Sequence, residues 1–152
     1  LNTTPYSEKL LVQALGVVLC SGIVFKQNAR PRFLKNPATG TNLELDVYLP
    51  KLRLAFEVQG PQHRKDAQQV ARDALKAGLA EARGVKVIPL RLDELRADGV
   101  WRCLHARARE IGVSPWKVVQ PLGFIREGMQ LQHEAATKYT AHLLEKYGPL
   151  EV

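Results

Sequence analysis

Apolar positions along the chain follow two periods in turn, and the changes of period mark the elements. From residue 7 to residue 20, Leu11, Leu15, Val18 and Leu19 recur at helical spacing, with Ser7 placed to cap the N-terminus. Glu8 lies on the same stripe. A carboxylate in a first turn suits the helix dipole, so its position alone is compatible with a plain helix start. Between residues 43 and 59 the period falls to two. Leu43, Leu45, Val47 and Leu49 take one face and leave Glu44, Asp46 and Tyr48 on the other. Beyond a Pro50-Lys51 turn, Leu52, Leu54, Phe56 and Val58 share a face, opposed by Arg53, Ala55, Glu57 and Gln59. This pattern predicts a β-hairpin. Bringing the apolar faces into coincidence pairs Val47 with Phe56 and Leu45 with Val58. Asp46 then faces Glu57, and Glu44 faces Gln59, with opposed Cβ atoms about 4.5–5.5 Å apart.

Residues 64–83 read as an Ala-rich helix closed by Gly84. Residues 85–90, VKVIPL, form a short apolar run without polar alternation, the type of strand found in parallel or mixed sheets. Residues 101–111 and 129–147 look helical, joined by a segment punctuated with Pro and Gly. The order helix, hairpin, helix, strand predicts an α/β fold. Residues 1–95 are expected to form its core and residues 96–152 a helical extension packed on it.

At 152 residues the chain has the length of one ordinary domain. It carries 22 Lys and Arg against 15 Asp and Glu, a net charge of +7, which favours a polyanionic partner. Residues 25–42 hold Lys26, Arg30, Arg32 and Lys35 and no acid. They are expected to form a phosphate-facing strip, with a solvated loop as the plainer alternative. Cys20 and Cys103 have no metal-ligand spacing, and two cysteines do not make a disulfide scaffold, so a reducing, intracellular compartment is expected. The longest apolar run, residues 14–25, is too short to span a bilayer, and no membrane partner is expected. The chain begins with Leu1, which suggests a processed or trimmed product. Trp101 and Trp116 read as packing anchors, Arg102, Arg107 and Arg109 as an extension of the basic face, and His105, His133 and His142 as surface residues.

Opposed carboxylates destabilise a hairpin unless they are neutralised. A shared proton and raised pKa values are one solution; a divalent cation held by hard oxygen ligands is the other. A metal-bound water, carboxylates to hold the metal and cations to hold the backbone are the parts that phosphodiester hydrolysis requires. A small-molecule enzyme is disfavoured, since no Gly-rich phosphate loop, GxSxG or HExxH occurs.

The stretch LDVYLPKLRLAFEVQG, within residues 45–60, resembles the core motif of the PD-(D/E)XK nuclease superfamily. That motif places an Asp on one strand, then an acid, a spacer and usually a Lys on the next; here these are Asp46, then Glu57, Val58 and Gln59. The GPQH at residues 60–63 is similar to the Gly-x-x-His tail of phage-type and very-short-patch-repair-like members, and the flanks are similar too. The resemblance spans about residues 5–95. It implies a restriction-endonuclease-like αβββαβ core with a mixed sheet, and a Mg2+- or Mn2+-dependent endonuclease acting on DNA rather than RNA. Asp46 would be the central metal ligand and Glu57 its partner. Glu8 would complete the shell through water, with Glu44 beside it. Gln59 stands where the Lys normally sits, and it can orient a water but carries no charge. The missing cation is expected from the next helix, from Lys76 or, as runner-up, Lys65. His63 would serve in proton transfer or as a plain helix cap. The rival reading keeps the fold without catalysis, as a RAP-like RNA-binding or structural subunit of a ribonucleoprotein. A homodimer and a place in a larger assembly are both open.

Overall fold

The computed structural model describes residues 6–59 and 66–149. The period-two segments pair as expected. β2 (Leu45–Leu49) and β3 (Leu54–Val58) run antiparallel, with Val47 opposite Phe56, Tyr48 opposite Ala55 and Leu49 opposite Leu54. A 3-10 turn over Pro50–Leu52 joins them, and Arg53 closes it in the left-handed region at φ 47°. β1 (Lys26–Ala29) adds antiparallel to β2. β4 (Lys86–Leu90) adds parallel to β3 after a crossover through α2 (Ala67–Glu81), since parallel neighbours need a long connection. The result is a four-stranded mixed sheet in the order β1-β2-β3-β4, preceded by α1 (Tyr6–Val18) and followed by α3 (Ala97–Glu110) and α4 (Leu122–Tyr147). The chain is an α/β protein.

Alternation along the strands divides the core in two. Val47, Leu49, Leu54 and Phe56 join the main core with Leu10, Leu11, Ala14, Leu15 and Val18 of α1, and with Val100 and Leu104 of α3. Ala55 belongs to a smaller cluster with Ala80 of α2 and Leu34, and Tyr48 and Val87 pack against it. α3 and α4 are bound into the main core through Ala108, Ile125, Ala136 and Leu143.

Three expectations need correction. Residues 26–29 are an edge strand rather than loop; KQNA is mostly exposed and has no apolar alternation, so its pairing with β2 leaves no hydrophobic signal. Leu45 and Leu43 do not share the face of Val47 and Leu49 but sit in the smaller cluster with Leu34. The alternation breaks at Asp46, where the β2–β3 pairing ends. Both late helices begin earlier than their apolar pattern suggests, α3 at Ala97 and α4 at Leu122. Among the described residues, no helix is long and apolar enough to cross a membrane.

Candidate functional site

Past the Val47–Phe56 pair, the register brings Asp46 opposite Glu57, and here the hairpin changes its bonding. The Asp46 N–H donates to Glu57 Oε2 at 2.8 Å, and the Val58 N–H donates to Asp46 Oδ2 at 2.8 Å. Each carboxylate thus accepts from the backbone of the opposite strand where a ladder bond would otherwise lie. On α2, Lys76 shares a helical stripe with Leu79 and Ala80, which pack toward the sheet, and its Nζ donates to Glu57 Oε1. The Lys76 and Glu57 side chains are only 14% and 15% exposed.

Burial pushes the Asp46 carboxyl above its ordinary range, and the Glu8 charge adds to this; the Val58 N–H and Lys76 act against it. Burial likewise raises Glu57, with the charge of Asp46 next in effect, against the pull of Lys76 and the Asp46 N–H. The opposed carboxylates are therefore offset here by a lysine and two backbone donors.

Two more acids face the same end of the sheet. Glu8, in the first turn of α1, is buried, and its carboxyl is raised by burial and by the charges of Glu44 and Glu57. The Asn28 side-chain amide donates to Glu44 Oε1 at 2.9 Å and to Glu8 Oε1 at 3.5 Å. Arg30 donates to Glu44 Oε2 at 2.9 Å and to the Asn42 carbonyl at 3.0 Å. The structure thus gathers Asp46, Glu57, Lys76, Glu8 and Glu44 at one end of the sheet. Sequence reasoning missed Asn28. Its residue type, which tolerates a left-handed backbone, was the one available signal, since β1 itself leaves no pattern in the sequence.

Gln59 lies just past β3, on the Glu57 side of the alternation, with its backbone N–H bonded to the Leu90 carbonyl at 2.8 Å. His63 and Lys65 lie outside the described residues. Lys26, Arg32 and Lys35 are exposed, whereas Arg30 is held by Glu44. Arg107 does not extend a basic face; its guanidinium donates to the carbonyls of Leu52, Arg53 and Gly84 at 2.9–3.0 Å, fastening the hairpin turn to α3. Trp101 is a packing anchor, with its indole N–H on the Gln120 carbonyl. His105 stacks on it with ring centroids 4.9 Å apart and meets Trp116 edge-on, so it belongs to an aromatic trio.

The oxygen donors at the sheet end are chemically suited to a hard divalent cation. Their arrangement is less complete. Among the described residues, no three His, Cys, Asp or Glu side chains stand so as to hold a metal ion. Asp46 and Glu57 converge on each other, while Asn28 ties Glu8 to Glu44. Asp46 and Glu57 are two adjacent oxygen donors, a partial ligand set for such a cation.

Comparison with known proteins finds no matching family model and no matching solved structure. The chain is 35% identical over 95 residues to uncharacterized protein 033L of Invertebrate iridescent virus 3, covering 55% of this chain and 48% of that protein. It is 45% identical over 58 residues to uncharacterized protein 307L of Invertebrate iridescent virus 6, covering 29% of each. The chain therefore spans about half or less of the length of these relatives.

Proposed function

We propose that this end of the sheet is the catalytic centre of a metal-dependent endonuclease that hydrolyses nucleic-acid phosphodiester bonds, DNA in preference to RNA. The observation that carries this reading is Lys76. It reaches from α2 to Glu57, beside Asp46, and offers the positive charge that Gln59 lacks. Asp46 and Glu57 would hold Mg2+ or Mn2+, with Glu8 and Glu44 at the periphery. Bound there, the ion would supply Lewis acidity and an acidified water. Lys76 and Gln59 would orient that water, Lys76 also opposing negative charge on the phosphate. Lys26, Arg32 and Lys35 would hold the nucleic-acid backbone, and His63 would move a proton at the leaving oxygen.

A nicking assay on supercoiled plasmid and on structured RNA, with magnesium or manganese, tests this reading. Asp46→Ala and Glu57→Ala should abolish cleavage, and Lys76→Ala should slow it by about a hundredfold or more. A second reading, a nuclease-type fold serving as a nucleic-acid-binding subunit without catalysis, is favoured by Gln59 and by the incomplete ligand arrangement. A wild-type chain that shifts nucleic acid on a gel yet cleaves nothing would establish it over the first.

A further inference from the structure

The least expected residue at the sheet end is Asn28. Gln27 pairs with Val47 and Ala29 with Leu45, so the register places Asn28 directly opposite Asp46 with no bulge between. Its backbone is nevertheless left-handed, at φ 51°. Asparagine adopts that conformation more readily than other non-glycine residues, and it does so here opposite Asp46, where the alternation of β2 also breaks. Arg53, the other described non-glycine residue at positive φ, ends a 3-10 turn where the chain must reverse. At Asn28 the conformation accompanies a different result. The side-chain amide meets carboxylates from two separate elements, Glu44 just before β2 and Glu8 in the first turn of α1.

An amide is suited to this task in a way a cation is not. It has two N–H donors on one nitrogen, so it can hold two carboxylates, and being neutral it leaves their charge available to a third group. We propose that Asn28 is a positioning residue of the centre, whose side-chain amide fixes Glu8 and Glu44 beside the Asp46–Glu57 pair. This inference rests on the nuclease reading above. Asn28 acts on the opposed pair through Glu8 and Glu44, the carboxylates it holds directly.

Two substitutions separate the amide from the backbone. Asn28→Gly and Asn28→Asp both accept a positive φ, and both remove the donor. A role confined to backbone shape predicts that both behave like the wild type. A positioning role predicts that both keep their melting temperature within a few degrees, yet bind Mn2+ about tenfold more weakly by calorimetry. The same positioning role predicts about a tenfold fall in kcat for plasmid nicking with KM for DNA unchanged. Wild-type-like manganese binding and kcat in either variant would overturn the role of Asn28 and leave the nuclease reading standing. Loss of fold in either would make Asn28 a structural residue and overturn the inference equally. A wild-type chain that neither binds Mn2+ nor nicks DNA would remove the nuclease reading itself, and the inference with it.

Discussion

At the junction of α1, α3 and α4, Gln132 is fully buried, and its recorded hydrogen bonds all run to backbone. Its Oε1 accepts from the Ala97 N–H at 2.6 Å, and its Nε2 donates to the carbonyls of Leu10 and Leu95. At the sheet end, Asp46 and Glu57 are less deeply buried, but they are charged groups facing each other, and burial raises both carboxyls. The neutral amide ties α4 to α1 and to the start of α3, where it meets the first-turn Ala97 N–H that the helix itself leaves unpaired. The carboxylates are held where each one makes the ionisation of the other harder. Burial of a polar group therefore separates little by itself in this molecule. Burial at an electrostatic cost separates more, because such a cost persists in a fold when the strained charges have a use, and shifted carboxyls gather at functional sites.

Four substitutions can break or sharpen that contrast. The largest effect is expected from Lys76→Met, which strips the cation from a largely buried pair and should cost about 3 kcal/mol at neutral pH. The loss should shrink toward about pH 5. Asp46 and Glu57 hold protons more tightly folded than unfolded, so acid neutralises the charges that Lys76 no longer balances. Urea denaturation at the two pH values measures this. An equal loss at both would mean that Lys76 matters for packing rather than charge.

Gln132→Leu should cost somewhat less, about 2–3 kcal/mol, by leaving the Ala97 N–H and the Leu10 and Leu95 carbonyls without their partner. Here the loss should be independent of pH, and nicking by the folded fraction should be unchanged. A pH-dependent loss would show that the two regions are coupled through α1, which carries both Leu10 and Glu8.

These contrasts bear on what could be read from residue order. The hairpin register was legible because the apolar residues Val47, Leu49, Leu54 and Phe56 coincide in one way, which sets Asp46 against Glu57. Lys76 was legible as a cation that α2 brings to the acidic pair, and its place on the Leu79–Ala80 stripe gives the physical reason it points inward. β1 was not legible, because an edge strand of Lys, Gln, Asn and Ala is held by backbone bonds to which its side chains contribute no pattern. Gln132 was hidden in a long helix, where an amide that meets backbone groups from two distant segments looks like any exposed glutamine. Arg107 was misread for a related reason: composition counts its charge, while the fold uses three of its five donors on carbonyls of the hairpin turn and the segment after α2.

Asp46→Asn reverses the sign of the first two substitutions. It removes one of two like charges, and the amide oxygen can still accept from the Val58 N–H. Stability at neutral pH should rise by about 1 kcal/mol while cleavage is lost, the usual trade at a strained site. The pH profile should also flatten. A carboxyl with a raised folded pKa makes the wild type lose stability as pH climbs from the ordinary Asp value of 3.8 through the raised one. Asparagine removes that contribution. A variant less stable than the wild type at neutral pH would mean that the pair is favourable as it stands, and the contrast with Gln132 would lose its energetic basis.

The smallest effect is expected at Arg30. Its pair with Glu44 is largely solvated, with the two side chains 61% and 34% exposed, so Arg30→Ala should change stability by less than about 0.5 kcal/mol. Its value lies in a comparison with Arg32, an exposed residue of the same strip. If both arginines met phosphates freely, each substitution would lower the salt slope of DNA binding by about 0.9. Arg30 is already half-neutralised by Glu44, so Arg30→Ala should lower the slope clearly less than Arg32→Ala does. Fluorescence anisotropy on a B-form duplex across a salt series reads the difference. Equal slopes would show that Glu44 releases Arg30 when nucleic acid arrives. The acid freed by that exchange would lie next to Asn28, so the strip and the carboxylate centre would then respond to the same ligand.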